Sequence, residues 1–324
     1  MGSEMCIRDS LMLTWGELDD ADRAVFNFDP RSVDWPTYIT QIHLPSIVKH
    51  ARVKTTPGPS PSSDRMARLR KQVLDPKRQV VAFDLENTLI SSNVVESYSW
   101  LATRRLDMPE RLRYVLRTLV EGPGLLKLDR ADRSDFLRYF YRRYEDAPVE
   151  QIEADAREMF GQIIMTKSFP EGMRRVRQHR ALGHRTILIT GALSFNVEGL
   201  RPLFDEIVAA EMTIKPDNTY SGEMHTVPPT GEARAQVLAD YCDAEGFDLD
   251  ECVAYADSSS DLPLFEAVGF PVAVNPETRL AAIARKRGWL VEHWSKAPGG
   301  PRPRLPIGPL LSERQRNERF GARA

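Results

Sequence analysis

The chain has 324 residues, 42% of them apolar and 28% charged, an ordinary soluble composition long enough for about two domains or one domain with a sizeable insertion. A formal net charge of −2 excludes a general nucleic-acid binder, because neutralising phosphates takes an excess of Lys and Arg. Cys6, Cys242 and Cys252 show no metal-ligand spacing, and so sparse a set excludes a disulfide framework. No apolar run approaches the roughly 18 residues of a membrane span and no signal peptide is recognisable, so a cytoplasmic protein is expected.

The first ten residues, MGSEMCIRDS, are unlike the remainder of the chain. The string CIRDS resembles translated library-adapter sequence, so residues 1–10, Cys6 included, are read as an artefact and a longer natural chain is expected. Residues 11–54 hold amphipathic pieces and two tryptophans but too little length for an independent core. TTPGPSPSSD, residues 55–64, reads as a stiff linker. The main domain occupies 65–294, and the tail at 295–324, opening on SKAPGGPRPRLP, is expected to be flexible.

Within 65–294, short β-branched runs alternate with helical patterns, which predicts an α/β fold: a Rossmann-like parallel sheet flanked by helices. Strands are expected at 79–84, 185–190, 206–210, 252–257, 272–274 and 290–292, several as continuous apolar runs of the kind buried on both faces. Helices are expected at 231–244, 261–268 and 276–287. Between the first two strands, helical periodicity runs on through DRSDFLRYFYRRYE and VEQIEADAREMFGQII, too much for one crossover, so a helical cap subdomain is expected at about 92–180. Ligands bind such sheets beyond the carboxyl ends of the strands, where Asp84, Thr190 and Asp257 are expected to converge.

Three signals occur in order: DLENT at 84–88, ILITGA at 187–192 and AYADSSSDLP at 254–263. With a cation opening the helix at GEARAQVL, they resemble the haloacid dehalogenase superfamily, in its phosphoserine-phosphatase-like branch, over about 78–294. The run GFPVAVNPETRLAAIARKRGW is also similar to that branch. The resemblance implies a phosphomonoester hydrolase that works through an aspartyl-phosphate on Asp84, with Mg²⁺ held by Asp84, Asp257, Asp261 and the carbonyl of Glu86. It also implies that Glu86 moves the proton and that Thr190, the Gly191 amide and Arg234 hold the phosphoryl group.

Two positions depart from the family pattern, which carries Asp where this chain has Glu86 and Lys where it has Arg234; Lys215 is a second candidate for the cation. In phosphoserine phosphatases a Glu soon after the first motif binds the substrate amine; here Asn93 stands there, with Glu96 a turn later, which counts against phosphoserine. Tyr98, Trp100, Phe136, Tyr139, Phe140 and Tyr144 are expected to form the cap's core, with Arg138, Arg142 and Arg143 on a solvated face. His179 and His184 read as surface or helix-end residues, and Cys242 and Cys252 as buried small apolar side chains.

Residues 22–38, DRAVFNFDPRSVDWPTY, resemble the carboxyl-terminal region of fatty acyl-CoA reductases, which implies an upstream reductase domain in the same full-length chain. No Gly-rich dinucleotide fingerprint is present. The leading expectation is a Mg²⁺-dependent hydrolase of a small or lipid-linked phosphate. A catalytically reduced phosphate-binding or scaffolding module and a phosphotransferase to an alcohol stay open beside it.

Overall fold

The computed structural model describes residues 7–26, 29, 32–50, 61–104, 106–161 and 166–296, in two units divided between Asp64 and Arg65. The linker expectation at 55–60 and the tail from 297 onward fall outside the described residues, while Pro61 to Asp64 lie in helix.

The amino-terminal unit is helical: α1 (Ile7–Glu17), α2 (Asp20–Val25), α3 (Trp35–Thr37), a π-helical turn Tyr38–His43 and α4 (Leu44–His50). Asp19 caps α2, accepting from the Asp22 amide at 2.8 Å. No residue of α2, α3 or the π-helical turn is buried, as expected of a segment too short to hold a core.

Helix α5 (Pro61–Val73) leads into the second unit, which is organised around VVAF, the central strand β1 (Val80–Phe83). It pairs in parallel with β2 (Arg185–Leu193) on one side and β6 (Val253–Ala256) on the other. With β3 (Glu206–Ala210), β7 (Phe270–Val274) and β8 (Leu290–Glu292) they make a six-stranded parallel sheet in the order β3-β2-β1-β6-β7-β8. Alternate side chains divide between two cores. Val81, Phe83, Leu188 and Tyr255 face α5 and α10 (Pro170–Ala181); Val80, Ala82, Ile187 and Ala254 face α12 (Glu232–Glu245), α13 (Leu262–Ala267) and α14 (Thr278–Arg287).

Each expected strand is present within two or three residues. Strand β2 runs on past Thr190 to Leu193 through a register shift, and the short α11 (Ser194–Val197) comes after it. The hairpin of β4 (Met212–Ile214) and β5 (Tyr220–Met224) is not among the expected elements, its strands being only three and five residues long.

Between β1 and β2 lie α6 (Val94–Thr103), α7 (Met108–Ala131), α8 (Arg133–Tyr141) and α9 (Val149–Met159). They enclose a core of their own around Trp100, Phe136, Phe140 and Tyr144, joined by Met212 and Tyr220 of the hairpin. Tyr139 instead stands exposed. Helix α10, at the end of the segment expected to form the cap, packs on the sheet through Val176. The chain leaves and re-enters the sheet domain at one place: the Ser91 amide donates to the Lys167 carbonyl at 2.8 Å, and Ile90 bridges Ser168. Helix α7 starts at a reciprocal capping box between Asp107 and Glu110.

Candidate active site

Asp84 is the first residue beyond β1, and its amide donates to the Tyr255 carbonyl at 2.9 Å, carrying the β1–β6 pairing one step past the strand. Strand β6 ends at Ala256, so Asp257 emerges beside Asp84. A 3₁₀ turn, Ser259–Asp261, then brings Asp261 back under both, with Ser258 accepting from the Ser260 amide at 3.2 Å. One carboxylate oxygen from each of Asp84, Asp257 and Asp261 lies within 4.8 Å of the others. Arg234, in the first turn of α12, is buried against them: Nη2 lies 2.7 Å from Asp84 Oδ1, Nη1 donates to Asp261 Oδ1, and Nε donates to the Pro229 carbonyl at 3.3 Å.

This cluster carries three acids and one neighbouring arginine, and the electrostatics show the shortfall. Burial, then the charges of Asp84 and Asp261, pushes the Asp257 carboxyl up to about 9. Asp261 is pushed up to about 6 by burial, against the pull of Arg234. Asp84 is raised by burial, again against Arg234, with Glu86 adding repulsion. Burial disfavours the charge on Arg234, yet Asp261 and Asp84 outweigh it and hold the guanidinium above its ordinary value. Asp84 Oδ1 is buried and meets Arg234 only as an ion pair, without a well-aligned hydrogen bond. Converging hard oxygens and more carboxyl groups than neighbouring cations fit a divalent cation such as Mg²⁺.

Glu86, two residues on, turns toward the cap and forms an ion pair with Arg133 Nη2. Arg133 is the first residue of α8, and its Nη1 also meets Asp129 Oδ1 at 2.5 Å. Burial opposes its charge, but Glu86 and Asp129 raise its pKa overall. Sequence reasoning misses Arg133. The arginines it singles out lie elsewhere: Arg138 and Arg142 are exposed, and Arg143 pairs with Glu121 at 2.6 Å.

Thr190 is buried, and its Oγ1 accepts from the Ala192 amide at 3.1 Å. Gly191 lines the cavity in a tight place: a Cβ would stand 2.6 Å from Leu137 Cδ1 and 2.7 Å from Thr230 Cγ2, so those side chains would have to move. Thr230, Ser258, Ser259 and Ser260 line the same cavity; of these only Ser258 belongs to the Asp-Ser-x-x-Asp motif, and none is among the expected site residues. Lys215 pairs with Asp146 at 2.5 Å in the hairpin loop and does not line the cavity. Asn93 and Glu96 do line it. Asn93 is spent capping α6 through the Glu96 amide at 2.9 Å, and Glu96 is engaged by Lys167 and by Ser92 Oγ at 2.8 Å.

The histidines correct half of the sequence reading: His179 does end a helix, but neither lies on the surface. Both are buried, with His179 Nδ1 2.8 Å from His184 Nδ1 and His179 Nε2 2.8 Å from the Tyr255 hydroxyl. Arg175 donates to that hydroxyl at 3.1 Å and to Glu292 at 3.0 Å, so a polar network braces β6 beneath the site. The reason is local: α10 packs its last turn onto the sheet and carries His179 inward. Cys242 and Cys252 are buried as expected, their sulfurs 3.6 Å apart.

The whole arrangement opens into a cavity of about 1140 Å³ between the sheet and the cap. The family model for haloacid dehalogenase-like hydrolases matches residues 81–266, more than half of the chain. A probable phosphatase of Mycobacterium tuberculosis is 30% identical over 71% of this chain and 79% of its own length. A Streptomyces azureus protein described as inhibiting morphological differentiation is 28% identical over 65% of this chain and 77% of its own. Among solved structures, a probable phosphoserine phosphatase from Vibrio cholerae superposes with a TM-score of 0.51 at 17% identity, over 65% of this chain and 61% of that one, a likeness of fold. Among the described residues, no helix is long and apolar enough to cross a membrane. The sheet, the cap and the ordered acids agree with the family match: the chain belongs to the haloacid dehalogenase-like hydrolases and is an enzyme of their phosphatase type.

Proposed function

We propose that the chain is a Mg²⁺-dependent phosphomonoester hydrolase working through an aspartyl-phosphate on Asp84. The observation that carries this reading is the cluster of Asp84, Asp257 and Asp261 around one buried arginine at the mouth of adjacent parallel strands. Asp84 forms a bond to phosphorus as the ester P–O bond breaks, and the Glu86 carboxylic acid gives its proton to the departing alcohol. Glu86, now a carboxylate, takes a proton from water as that water attacks phosphorus. Inorganic phosphate leaves, and Asp84 is restored. Asp84, Asp257, Asp261 and the Glu86 carbonyl would hold the metal, which would supply neutralising charge to the phosphoryl oxygens. Arg234, the Thr190 hydroxyl and the Gly191 amide orient those oxygens.

Phosphoserine is disfavoured as substrate, because Asn93 is committed to capping a helix where an amine-binding carboxylate is needed. The proposal concerns the second unit alone; the reductase resemblance at 22–38 supplies no residue to it.

Phosphate release from a panel of phosphomonoesters tests the reading. Turnover is expected to vanish with EDTA and with Asp84→Asn. A phosphate-binding module without turnover is the second reading, favoured by the ion pair that engages Glu86 with Arg133. It predicts silence in the wild type and activity gained by Glu86→Asp.

A further inference from the structure

One side of α7 is apolar and exposed to solvent. Leu112, Leu116, Leu119 and Val120 recur at helical spacing, 62%, 55%, 69% and 81% exposed. Met108 and Leu126 prolong the stripe to both ends of a helix roughly 36 Å long. An exposed apolar face of this extent marks a contact surface. Its position says what it contacts. Leu126 belongs both to the stripe and to the wall of the active-site cavity, where Val94, Val95, Leu125 and Phe136 form an apolar patch on the cap side beside the charged Glu96, Asp129 and Arg133. The cavity is therefore charged at the carboxylate end, mixed toward the cap, and continuous through Leu125 and Leu126 with the stripe outside. Its volume of about 1140 Å³ exceeds the upper end, about 1,000 Å³, of sites that enclose a drug-sized molecule.

Among the described residues of α7, the exposed cations without an acid partner lie along one flank of the stripe. Arg113 and Lys127 are exposed there, while the acids of α7 are engaged: Glu110 in the capping box, Glu121 by Arg117 and Arg143, and Asp129 by Arg133. An apolar face edged by free cations is the pattern of a helix lying on an anionic lipid surface. A folded partner seated on the stripe would cover Leu126 and close the cavity, whereas a lipid surface delivers substrate through that opening.

We propose that the site's substrate is a phosphomonoester carrying a long apolar chain, taken from an anionic lipid surface on which α7 rests. The inference rests on the phosphatase reading and names its substrate class. The phosphate goes to Asp84, and the chain leaves over Leu125 and Leu126 onto the stripe.

The full chain is assayed on ethyl phosphate and on dodecyl phosphate, and for co-sedimentation with vesicles of phosphatidylcholine alone or mixed with phosphatidylglycerol. The expected result is binding to the mixed vesicles only, with kcat/KM for dodecyl phosphate roughly 100-fold above ethyl phosphate, the effect of a few buried methylenes. Leu112→Gln/Leu116→Gln/Leu119→Gln is expected to keep the wild-type thermal midpoint and lose vesicle binding. Arg113→Glu/Lys127→Glu is expected to weaken that binding by at least about 30-fold. Equal rates on the two phosphates, without sedimentation, would overturn the proposal and leave the phosphatase reading standing. A dimeric wild type and a monomeric triple-leucine variant, again without vesicle binding, would assign the stripe to a second copy and overturn it as well. Vesicle binding with no turnover of any phosphomonoester would overturn the phosphatase reading and the lipid substrate with it.

Discussion

Glu86 is one methylene longer than the aspartate that the family pattern carries, and the structure shows where the extra length goes. The carboxylate reaches the cap and is held there by Arg133, which is itself fixed by Asp129. In the proposed mechanism Glu86 moves the proton; such a group displaced by about 1 Å costs on the order of 100-fold in rate, which makes the arginine that aims it a positioning residue. Arg133→Ala is expected to lower kcat by roughly that factor, with Arg133→Lys intermediate and added guanidinium restoring part of the alanine variant's rate. Steady-state kinetics check this; a fall in Tm with no rescue by guanidinium would point to a purely structural role. Gly191→Ala sets a methyl group against Leu137 and Thr230 and is expected to cost about 1–3 kcal/mol in urea unfolding. Asp84 and Asp257 were legible because each stands at the end of an apolar run, and Glu86 and Asp261 through their spacing from them in ordered motifs. Arg133 was not, since its partner lies 47 residues away and no local spacing joins them.

Among the elements, the parallel strands were readable as apolar runs because they are buried on both faces. The β4–β5 hairpin was not, since its strands are short and half-exposed and its purpose, covering the cap's core with Met212 and Tyr220, depends on tertiary packing. Its turn at Asn218, with φ of 62°, is a left-handed position that Asn tolerates. For α7, the capping box is a local device with a local cost. Asp107→Ala is expected to destabilise the protein by about 1 kcal/mol, read as a lower urea midpoint. An unchanged midpoint would mean that α7 is held by its packing alone.

For the molecule as a whole, two linked equilibria set stability. Three carboxyl groups crowded beside a single arginine repel one another when ionised, and a bound cation would relieve that repulsion. Millimolar Mg²⁺ is therefore expected to raise Tm, by the equivalent of about 2.7 kcal/mol at a hundredfold excess over Kd, and Asp257→Asn to abolish most of that rise. Differential scanning calorimetry with and without EDTA measures it. The second is the buried histidine network. Burial, then the charges of His184 and Arg175, lower His179 from 6.5 to about 2. The unfolded chain takes up a proton below 6.5 that the folded chain refuses. This contribution is thus complete above 6.5 and is lost as pH falls from about 6.5 toward 2, by at most about 1.4 kcal/mol per unit. Urea titrations on the two sides of 6.5 should show the decline, and His179→Gln should flatten it. An equally steep decline in the variant would assign it to other groups.

The path of the chain at Ser91 and Lys167 bears on how such an enzyme changes its diet. The inserted helices depart and return at neighbouring, hydrogen-bonded residues, and they fold around aromatic residues of their own. The carboxylates, by contrast, are anchored on adjacent strands whose register the backbone alone fixes. Selectivity and chemistry thus meet mainly at the Glu86–Arg133 pair. Exchanging residues 92–166, with Asp129 and Arg133 retained, together with the 212–224 hairpin that packs on them, for those of a relative should transfer a preference for one alcohol over another while the phosphoryl end stays as it is.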